Sequence, residues 1–293
     1  MKTKKGNVFI KVFAIILVCF LTTVIVSNKY LTTSKYEIKS EKLPISFNGF
    51  KIILIADLHN AEFGKNNKTL IRKIEKSNPD IVLLAGDMIS TSDTDYNNFF
   101  TFADNIGKRF ETYYIPGNHE QALGEEKIHD FCEKISQEGI RVLDNEKVKL
   151  VRNGEYINLY GMWFNLRFYA DRSRDADKSE QYYFDAVTMK EILNDSEKGK
   201  FNLLLTHNPV YFETYEKWGA DLTLSGHIHG GMIRLPFIGG VYSPEKTYFP
   251  KYDGGIYSIN KSKMAVSRGL GNGNLGFRFL NCPELVEITL IKD

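Results

Sequence analysis

Short apolar runs that end in polar residues recur along the chain and limit the folds open to it. They are KIILIAD at 51–57, DIVLLAGD at 80–87, TYYIPGNHE at 112–120, NLLLTHNP at 202–209 and DLTLSGHIHGG at 221–231. A run that is apolar throughout is typical of a strand buried on both faces, as in a parallel sheet covered by helices. Between the first two runs, Leu70, Ile71 and Ile74 recur at helical spacing within 65–77. The pattern therefore predicts a βαβ unit.

The remaining segments predict a mixed α/β fold with two mixed β-sheets sandwiched by helices. Helices are predicted at 96–110 and 125–138. A hairpin is predicted from 148–151 and 156–160, because the turn residues Asn153 and Gly154 lie between them. Further strands are predicted at 112–115, 141–143, 202–205, 222–224, 255–259, 263–266 and 286–290.

The N-terminus carries a segment that predicts a transmembrane helix. Val8–Val26 is apolar except for Lys11, and Lys2, Lys4 and Lys5 precede it. About 20 mostly apolar residues are needed to span a bilayer, and Lys11 can extend toward the headgroups. Bulky residues stand at 24–30, where a signal peptidase requires small ones, so an uncleaved single-pass anchor is favoured over a cleaved signal peptide.

Charge around this segment predicts its orientation. The lysine-rich flank stays in the cytoplasm by the positive-inside rule, which places the body outside the cytoplasm, although Lys29, Lys35 and Lys39 act against this orientation. We expect three regions: an anchor at 1–30, a tether and edge strand at 31–48, and one globular domain at 49–293.

The charge of the body disfavours nucleic acid as a partner. Of 38 Lys and Arg residues, four precede Ser27, which leaves 34 basic residues against 36 acidic ones. A nucleic-acid binder generally shows a basic footprint. The three cysteines form no zinc-finger spacing, and Cys132 and Cys282 are predicted either to pair or to remain buried thiols.

Polar residues that can bind metal follow the predicted strands. Five of the six histidines lie in these loops, and only His129 lies in a predicted helix. Because loops at the carboxyl ends of strands converge in α/β sheets, we expect one site there. Seven side chains exceed the needs of one ion, so the sequence predicts two divalent ions, of manganese, iron or zinc, whose ligands are carboxylate, amide and imidazole groups. The candidate ligands are Asp57, His59, Asp87, Asn118, His207, His227 and His229.

The pair His227 and His229 lies between glycines. On an extended backbone, residues two apart point to the same side, so both rings are expected on one face of the segment. Glycines at both ends allow the loop to approach the site closely.

The series D-x-H, G-D, G-N-H-E, H and G-H-x-H resembles the calcineurin-like metallophosphoesterase superfamily over Lys51–Leu290. The resemblance implies a four-layer α/β/β/α fold and a hydrolase that cleaves a phosphate ester or pyrophosphate bond with a metal-bridging hydroxide. It implies that Asp87 bridges the two ions. The first ion would be held by Asp57, His59 and His229, and the second by Asn118, His207 and His227.

The same resemblance assigns His119 as the catalytic general acid that protonates the leaving oxygen. The alternative is an imidazole that orients Asp57. Either role predicts a loss of activity when His119 is replaced.

The chain ends suggest the substrate class. Residues 267–290 and the anchor resemble a membrane-attached bacterial subgroup related to hydrolases of UDP-2,3-diacylglucosamine, so a lipid-linked or membrane-proximal phosphate ester is expected. An outward-facing body cannot reach a cytoplasmic UDP-linked lipid, whereas exported phospholipids, polyprenyl phosphates and wall polymers are within its reach. Either the orientation or the substrate analogy must therefore give way.

Several other segments have two interpretations. The segment 163–183, with Arg167, Arg172 and Arg174, is either a lid over a lipid headgroup or an ordinary loop whose aromatic residues pack inward. Arg268 and Arg278 are candidates for phosphate contacts or ordinary surface arginines. Two alternative functions also stay open: a nuclease of the same superfamily, and a catalytically silent dimetal scaffold. The oligomeric state is not predicted.

Overall fold

The computed structural model describes residues 2–169, 184–244, 246–273 and 276–293. Helices in this part of the chain are α1 Lys2–Lys29, α2 Lys68–Ser77, α3 Asn97–Gly107, α4 Asn118–Gln121, α5 Glu125–Gln137, α6 Ala186–Leu193 and α7 Phe212–Trp218. The first seven strands are β1 Thr32–Ser40, β2 Phe50–Ile55, β3 Ile81–Ala85, β4 Thr112–Ile115, β5 Arg141–Val142, β6 Glu146–Arg152 and β7 Glu155–Met162. The other seven are β8 Asn202–Thr206, β9 Leu222–Ser225, β10 Arg234–Leu235, β11 Gly239–Gly240, β12 Gly255–Ile259, β13 Ser262–Val266 and β14 Glu284–Lys292.

Two six-stranded mixed sheets form the body, which confirms the predicted fold class. The first sheet has the order β1-β14-β2-β3-β4-β5, and the second has the order β12-β13-β9-β8-β7-β6. In the first sheet β2, β3, β4 and β5 are parallel, as β7, β8 and β9 are in the second. Their carboxyl ends therefore lie at one edge of each sheet.

Alternate residues of the apolar strands pack on opposite faces, and this produces four layers. Ile52 of β2 and Leu203 of β8 belong to one buried cluster between the two sheets. Ile53 packs instead with residues of α2, α3 and α5 on the outer face of the first sheet. Leu204 packs with residues of α6 and α7 on the outer face of the second sheet. The order of layers is therefore α/β/β/α.

The expected edge strand is a long one. Thr32–Ser40 forms β1 and pairs in parallel register with β14, from Thr32 opposite Glu284 to Ser40 opposite Lys292. The sequence predicted neither α6 nor α7, nor the β10–β11 hairpin. Asp185 caps the amino end of α6, because its carboxylate accepts a hydrogen bond from the N–H of Thr188.

The N-terminal segment forms one apolar helix, as expected. Within α1, Val8–Lys29 is long and apolar enough to cross a membrane, and its 22 residues lie near the N-terminus, where a signal sequence has the same features. The cysteines Cys19, Cys132 and Cys282 are free thiols.

Candidate metal centre

The candidate ligands lie where five strands end. Residues that follow β2, β3 and β4 carry Asp57, Asp87 and Asn118, while residues that follow β8 and β9 carry His207 and the histidine pair. The two sheets pack face to face, so these loops meet between them. The structure brings all five loops to one place.

One cluster consists of Asp57, His59 and His229. The Nε2 atoms of the two histidines are 3.1 Å apart. The Nε2 atom of His229 is 3.5 Å from Oδ1 of Asp57. All three side chains are almost completely buried, so their donor atoms face one another and not the solvent.

A second cluster consists of Asp87, His207 and His227, whose donor atoms lie within 4.8 Å of one another. The Nε2 atom of His207 is 3.1 Å from Oδ2 of Asp87 and 3.8 Å from Oδ1 of Asp57. The same Oδ2 of Asp87 is 4.0 Å from Nε2 of His59 in the first cluster. Asp87 therefore lies between the two clusters.

The short helix α4 supplies Asn118 and His119. The side-chain Oδ1 of Asn118 is buried and has no hydrogen-bond partner among the residues that the structure describes. The backbone N–H of His119 donates to Oδ1 of Asp87 at 2.8 Å, and its ring meets the ring of His59 edge-on with centroids 4.8 Å apart. The backbone of His119 thus binds the carboxylate of Asp87, while its ring contacts His59.

The histidine pair does not lie on an extended backbone, so that expectation was wrong. The chain after β9 turns at once, and the φ angles of His227 and His229 are 72° and 52°. The two rings consequently belong to different clusters. Left-handed backbone is shared by Asp57, His59 and Asp87, with φ of 51°, 48° and 54°. Such conformations cost roughly 1–3 kcal/mol per non-glycine residue and are concentrated at functional sites.

Two glycines permit the close packing of these loops. A Cβ atom at Gly226 would lie 2.6 Å from Oδ2 of Asp57, and one at Gly117 would lie 2.2 Å from Oδ1 of Asp87. Neither distance leaves room for a side chain. The expected close approach of the glycine loop holds at Gly226.

Glu120 connects two of the loops and was missed as a functional residue in the sequence. Its buried carboxylate accepts hydrogen bonds from the backbone N–H groups of Asp87 and Gly117 at 2.9 and 2.8 Å, and from those of Met88 and Ile89. One side chain thus fixes the loops after β3 and β4 against each other. The motif G-N-H-E contains this residue, but nothing in the spacing indicates that its carboxylate points inward.

Burial keeps two of the histidines neutral. It lowers the pKa of His59 to about 3, against the opposing effect of Asp87. Burial, with His59 and Arg278 adding to the effect, holds the pKa of His229 well below its usual value. Neutral imidazole is the form that binds metal ions.

The carboxylates have opposite shifts. Burial raises the pKa of Asp57 to about 6, although His207 opposes the change. Burial disfavours the charged forms of Asp87 and His207, but the attraction between the two charged side chains outweighs it. This attraction lowers the pKa of Asp87 and raises the pKa of His207 to about 9. Burial and the Asp87 carboxylate raise the pKa of Glu120 to about 7. Three carboxylates buried together require positive charge nearby.

These observations fit a pair of divalent cations. The centre offers neutral ring nitrogens, buried carboxylates and the partnerless amide oxygen of Asn118. Imidazole with carboxylate and amide oxygen suits first-row divalent metals, and the described part of the centre contains no thiolate.

Aromatic packing distinguishes between the two interpretations for part of the segment that follows β7. Phe164, Phe168 and Phe184 belong to one buried cluster, with ring centroids 4.7 Å apart for Phe164 and Phe184. These rings therefore pack inward, as the ordinary-loop interpretation predicts. Arg172 and Arg174 lie outside the described residues.

Arg278 is completely buried, so it is not an ordinary surface arginine. Its Nε and Nη2 atoms donate to the carbonyl of Gly271, and its Nη2 lies 3.4 Å from Nδ1 of His229. Burial lowers the pKa of Arg278 to about 10, which leaves the guanidinium charged at neutral pH. A fixed positive charge thus borders the first cluster.

Comparison with known proteins agrees with this geometry. The family model for calcineurin-like phosphoesterases matches residues 50–231, the span that contains both clusters. The chain belongs to the calcineurin-like phosphoesterase family. It is accordingly a metal-dependent phosphoesterase with a His/Asp dimetal site, and its substrate is a phosphoester.

Two bacterial relatives match most of the chain. One is the uncharacterized metallophosphoesterase YkuE of Bacillus subtilis, 29% identical over 89% of this chain and 85% of its own length. The other is the phosphodiesterase YaeI of Escherichia coli, 29% identical over 83% of this chain and 82% of its own length.

Proposed function

We propose that this calcineurin-like phosphoesterase is a dimetal hydrolase anchored in the membrane, and that its substrate is a phosphodiester that is lipid-linked or lies close to the membrane. The position of Asp87 between two clusters of ring nitrogens carries the proposal. In this assignment Asp57, His59 and His229 would hold one ion, Asn118, His207 and His227 would hold the other, and Asp87 would be a ligand of both. The ions, when bound, supply Lewis acidity and an activated water.

His119 is assigned as the proton donor to the leaving oxygen. Nδ1 of His119 lies 3.0 Å from the backbone nitrogen and 3.0 Å from Oγ1 of Thr91, so Thr91 fixes this ring nitrogen. In the imidazolium form Nδ1–H would donate to Oγ1 of Thr91, and the Nε2 proton would pass to the leaving oxygen, which leaves a neutral imidazole. A ring nitrogen of His119 lies within 4.8 Å of a ring nitrogen of His59 and of a carboxylate oxygen of Asp87. The ring is thus held beside the two clusters, with one nitrogen fixed and the other left for the substrate.

The diester preference and the membrane location rest on separate observations. A phosphodiesterase is among the relatives that match most of the chain. Docking of the end of α1 supports a retained anchor: Ser27 is buried, and Asn28 donates to the carbonyl of Arg278 at 2.9 Å. Cleavage of a signal peptide after these residues would remove both contacts. We accordingly propose an anchor at 1–30, a linking edge strand at 31–48 and a catalytic domain at 49–293 that lies outside the cytoplasm.

The proposal is tested with a soluble aryl phosphodiester, bis(p-nitrophenyl) phosphate, and the full chain supplied with Mn²⁺. We expect His119→Gln to lower kcat by about 10²- to 10⁴-fold while two ions remain bound. Asp87→Asn should lower both turnover and the metal content. The matched control is His129→Gln, because His129 is an exposed histidine on α5. Its turnover should stay within about twofold of the parent's.

Two outcomes would favour the alternatives. Two bound ions without turnover of any aryl phosphate ester would indicate a silent scaffold. Faster cleavage of single-stranded DNA or RNA than of lipid or aryl phosphodiesters would indicate a nuclease, which the acidic excess of the body disfavours.

A further inference from the structure

The strand register places α1 at the catalytic edge of the body. Helix α1 ends at Lys29 and β1 begins at Thr32, which lies opposite Glu284 at the start of β14. Strand β14 is antiparallel to β2, and Val286 lies opposite Leu54 near the carboxyl end of β2. The helix therefore leaves the body at the edge from which the metal-binding loops project.

The body also packs along the side of α1. The ring of Phe279 lies 5.4 Å from the ring of Phe20, and the side-chain oxygen of Asn28 accepts from the N–H of Arg278 and from Nδ2 of Asn272. Phe20 and Asn28 are separated by about 12 Å of helix at 1.5 Å per residue. The contact thus extends over more than two turns.

The length of the candidate span fixes the depth of this contact. Val8–Lys29 has 22 residues, about 33 Å of helix against a hydrocarbon core of about 30 Å. The helix therefore has about 3 Å to spare, whereas Phe20 lies about 13 Å from Lys29. When α1 spans the bilayer, Phe20 lies inside the hydrocarbon region. Phe279 must then enter the membrane with it.

Segments that are hydrogen-bonded to the strand-like segment of Phe279, or follow one another along it, carry exposed apolar side chains. The N–H of Arg234 donates to the carbonyl of Phe279 at 3.0 Å and joins the β10–β11 hairpin to this segment. At the tip of the hairpin, Phe237 is fully exposed and Ile238 is 61% exposed. The N–H of Phe249 donates to the carbonyl of Val241 and adds a further segment. We define the apolar surface as Leu235, Phe237, Ile238, Phe249, Phe277 and Leu280, all of which are exposed.

The apolar surface is directly joined to the metal centre. Arg278 lies between Phe277 and Leu280, two residues of the apolar surface. Its guanidinium is buried, and Nη2 lies 3.4 Å from Nδ1 of His229. The amide of Asn281 donates to the carbonyl of His229 at 2.7 Å. Within segment 277–281, Arg278 and Asn281 therefore contact His229 of the first cluster, whereas Phe279 packs against α1.

We propose that the apolar surface inserts into the leaflet in which α1 ends, so that the metal centre opens onto the bilayer and receives its phosphoester from an embedded lipid. The inference rests on the proposed anchor and deepens the proposed function. Large exposed apolar patches mark interaction surfaces, and Phe and Leu side chains on the surface of a membrane-bound protein bury at the boundary between headgroups and acyl chains. Continuity with α1 identifies the bilayer, not a protein, as the occupant.

Photocrosslinking tests the insertion without any dependence on turnover. p-Benzoylphenylalanine replaces Phe237 in the full chain, reconstituted in nanodiscs of phosphatidylcholine and phosphatidylglycerol. The matched control carries it at Val151, which is 69% exposed and lies opposite Tyr156 near the amino end of β7, away from the catalytic edge. We expect lipid adducts at 237 in at least tenfold higher yield than at 151. Equal yields, no lipid adducts at 237, or crosslinks to a second copy would overturn the inference.

A kinetic comparison separates this inference from the proposed function. Phe237→Glu combined with Ile238→Glu should slow hydrolysis of a p-nitrophenyl phosphodiester of diacylglycerol in vesicles at least tenfold. Its turnover of soluble bis(p-nitrophenyl) phosphate should stay within twofold of the parent's. The paired control is Ile45→Glu with Val151→Glu, two exposed apolar positions outside the apolar surface. Equal effects on both substrates, or none on either, would contradict membrane seating. Absence of soluble turnover in the parent would instead contradict the proposed hydrolase.

Discussion

Replacement of the buried Glu120 by glutamine should destabilise the metal centre more than a Glu→Gln substitution at an exposed position does. The Oε1 atom of Glu120 accepts from the N–H groups of Met88 and Ile89 at 2.6 and 3.2 Å. The Oε2 atom accepts from those of Asp87 and Gly117 at 2.9 and 2.8 Å. In the glutamine variant an NH₂ group takes the place of one oxygen, so two buried N–H groups lose their acceptor and face another donor.

The size of the effect follows from these two lost bonds. A buried donor left without a partner costs about 1–3 kcal/mol, so Glu120→Gln should lower the free energy of unfolding by about 2–6 kcal/mol. For a domain of this size, about 1 kcal/mol corresponds to about 2–4 °C in Tm. We therefore expect a decrease of at least about 4 °C. The displaced loops should also weaken metal binding, because one of them carries Asp87.

The assay is thermal unfolding of the full chain in detergent micelles at pH 8, where Glu120 is ionised because its pKa is about 7. Metal content is measured in the same samples. Glu133→Gln is the matched control, since Glu133 is exposed on α5 and should change the free energy of unfolding by less than about 0.5 kcal/mol. A Glu120→Gln variant with an unchanged Tm and full metal content would refute the assigned role of the carboxylate.

Three further predictions follow from burial and from metal binding. The buried hydroxyl of Tyr114 has no hydrogen-bond partner among the described residues, whereas that of the adjacent Tyr113 binds Glu111. Tyr114→Phe should therefore raise the free energy of unfolding by about 1 kcal/mol in denaturant titrations, whereas Tyr113→Phe should not. Burial raises the pKa of Cys132 to about 12, so at pH 8 only about one thiol in 10⁴ is ionised. Iodoacetamide should modify Cys132 about 10³ times more slowly in the folded protein than in denaturant, and equal rates would contradict the burial. Removal of metal by a chelator should lower Tm, since an ion at 100 times its Kd contributes about 2.7 kcal/mol per site; an unchanged Tm would argue against metal binding by the folded state.

Most of the strands were predictable, because a short run of apolar residues is stable only where both of its faces are buried. Runs such as 52–56 and 81–85 are apolar at every position, and both faces of each strand are buried. The pairing order was not predictable. Strand β14, the last in the chain, lies between β1 and β2, and this position depends on contacts between residues about 250 positions apart. No local pattern encodes such a contact.

The candidate site divides in the same way. Residue type and position after a strand identified the seven candidate ligands, and the structure gathers their loops. The expected geometry of the histidine pair was wrong, because an extended backbone was assumed where His227 and His229 have positive φ. The role of Glu120 was missed and the burial of Arg278 was not predicted, because a charged residue is ordinarily exposed and only packing shows that these two are buried.

The sequence by itself determined the fold class, the apolar N-terminal helix and the chemistry available at the strand ends. These properties depend on the period and composition of local segments, which a single chain displays directly. The tertiary structure alone decided that Asp87 lies between the two clusters, that Glu120 ties two loops together and that α1 meets the catalytic edge. Each of these depends on distances of a few ångströms between segments remote in sequence, and such distances arise only when the sheets pack.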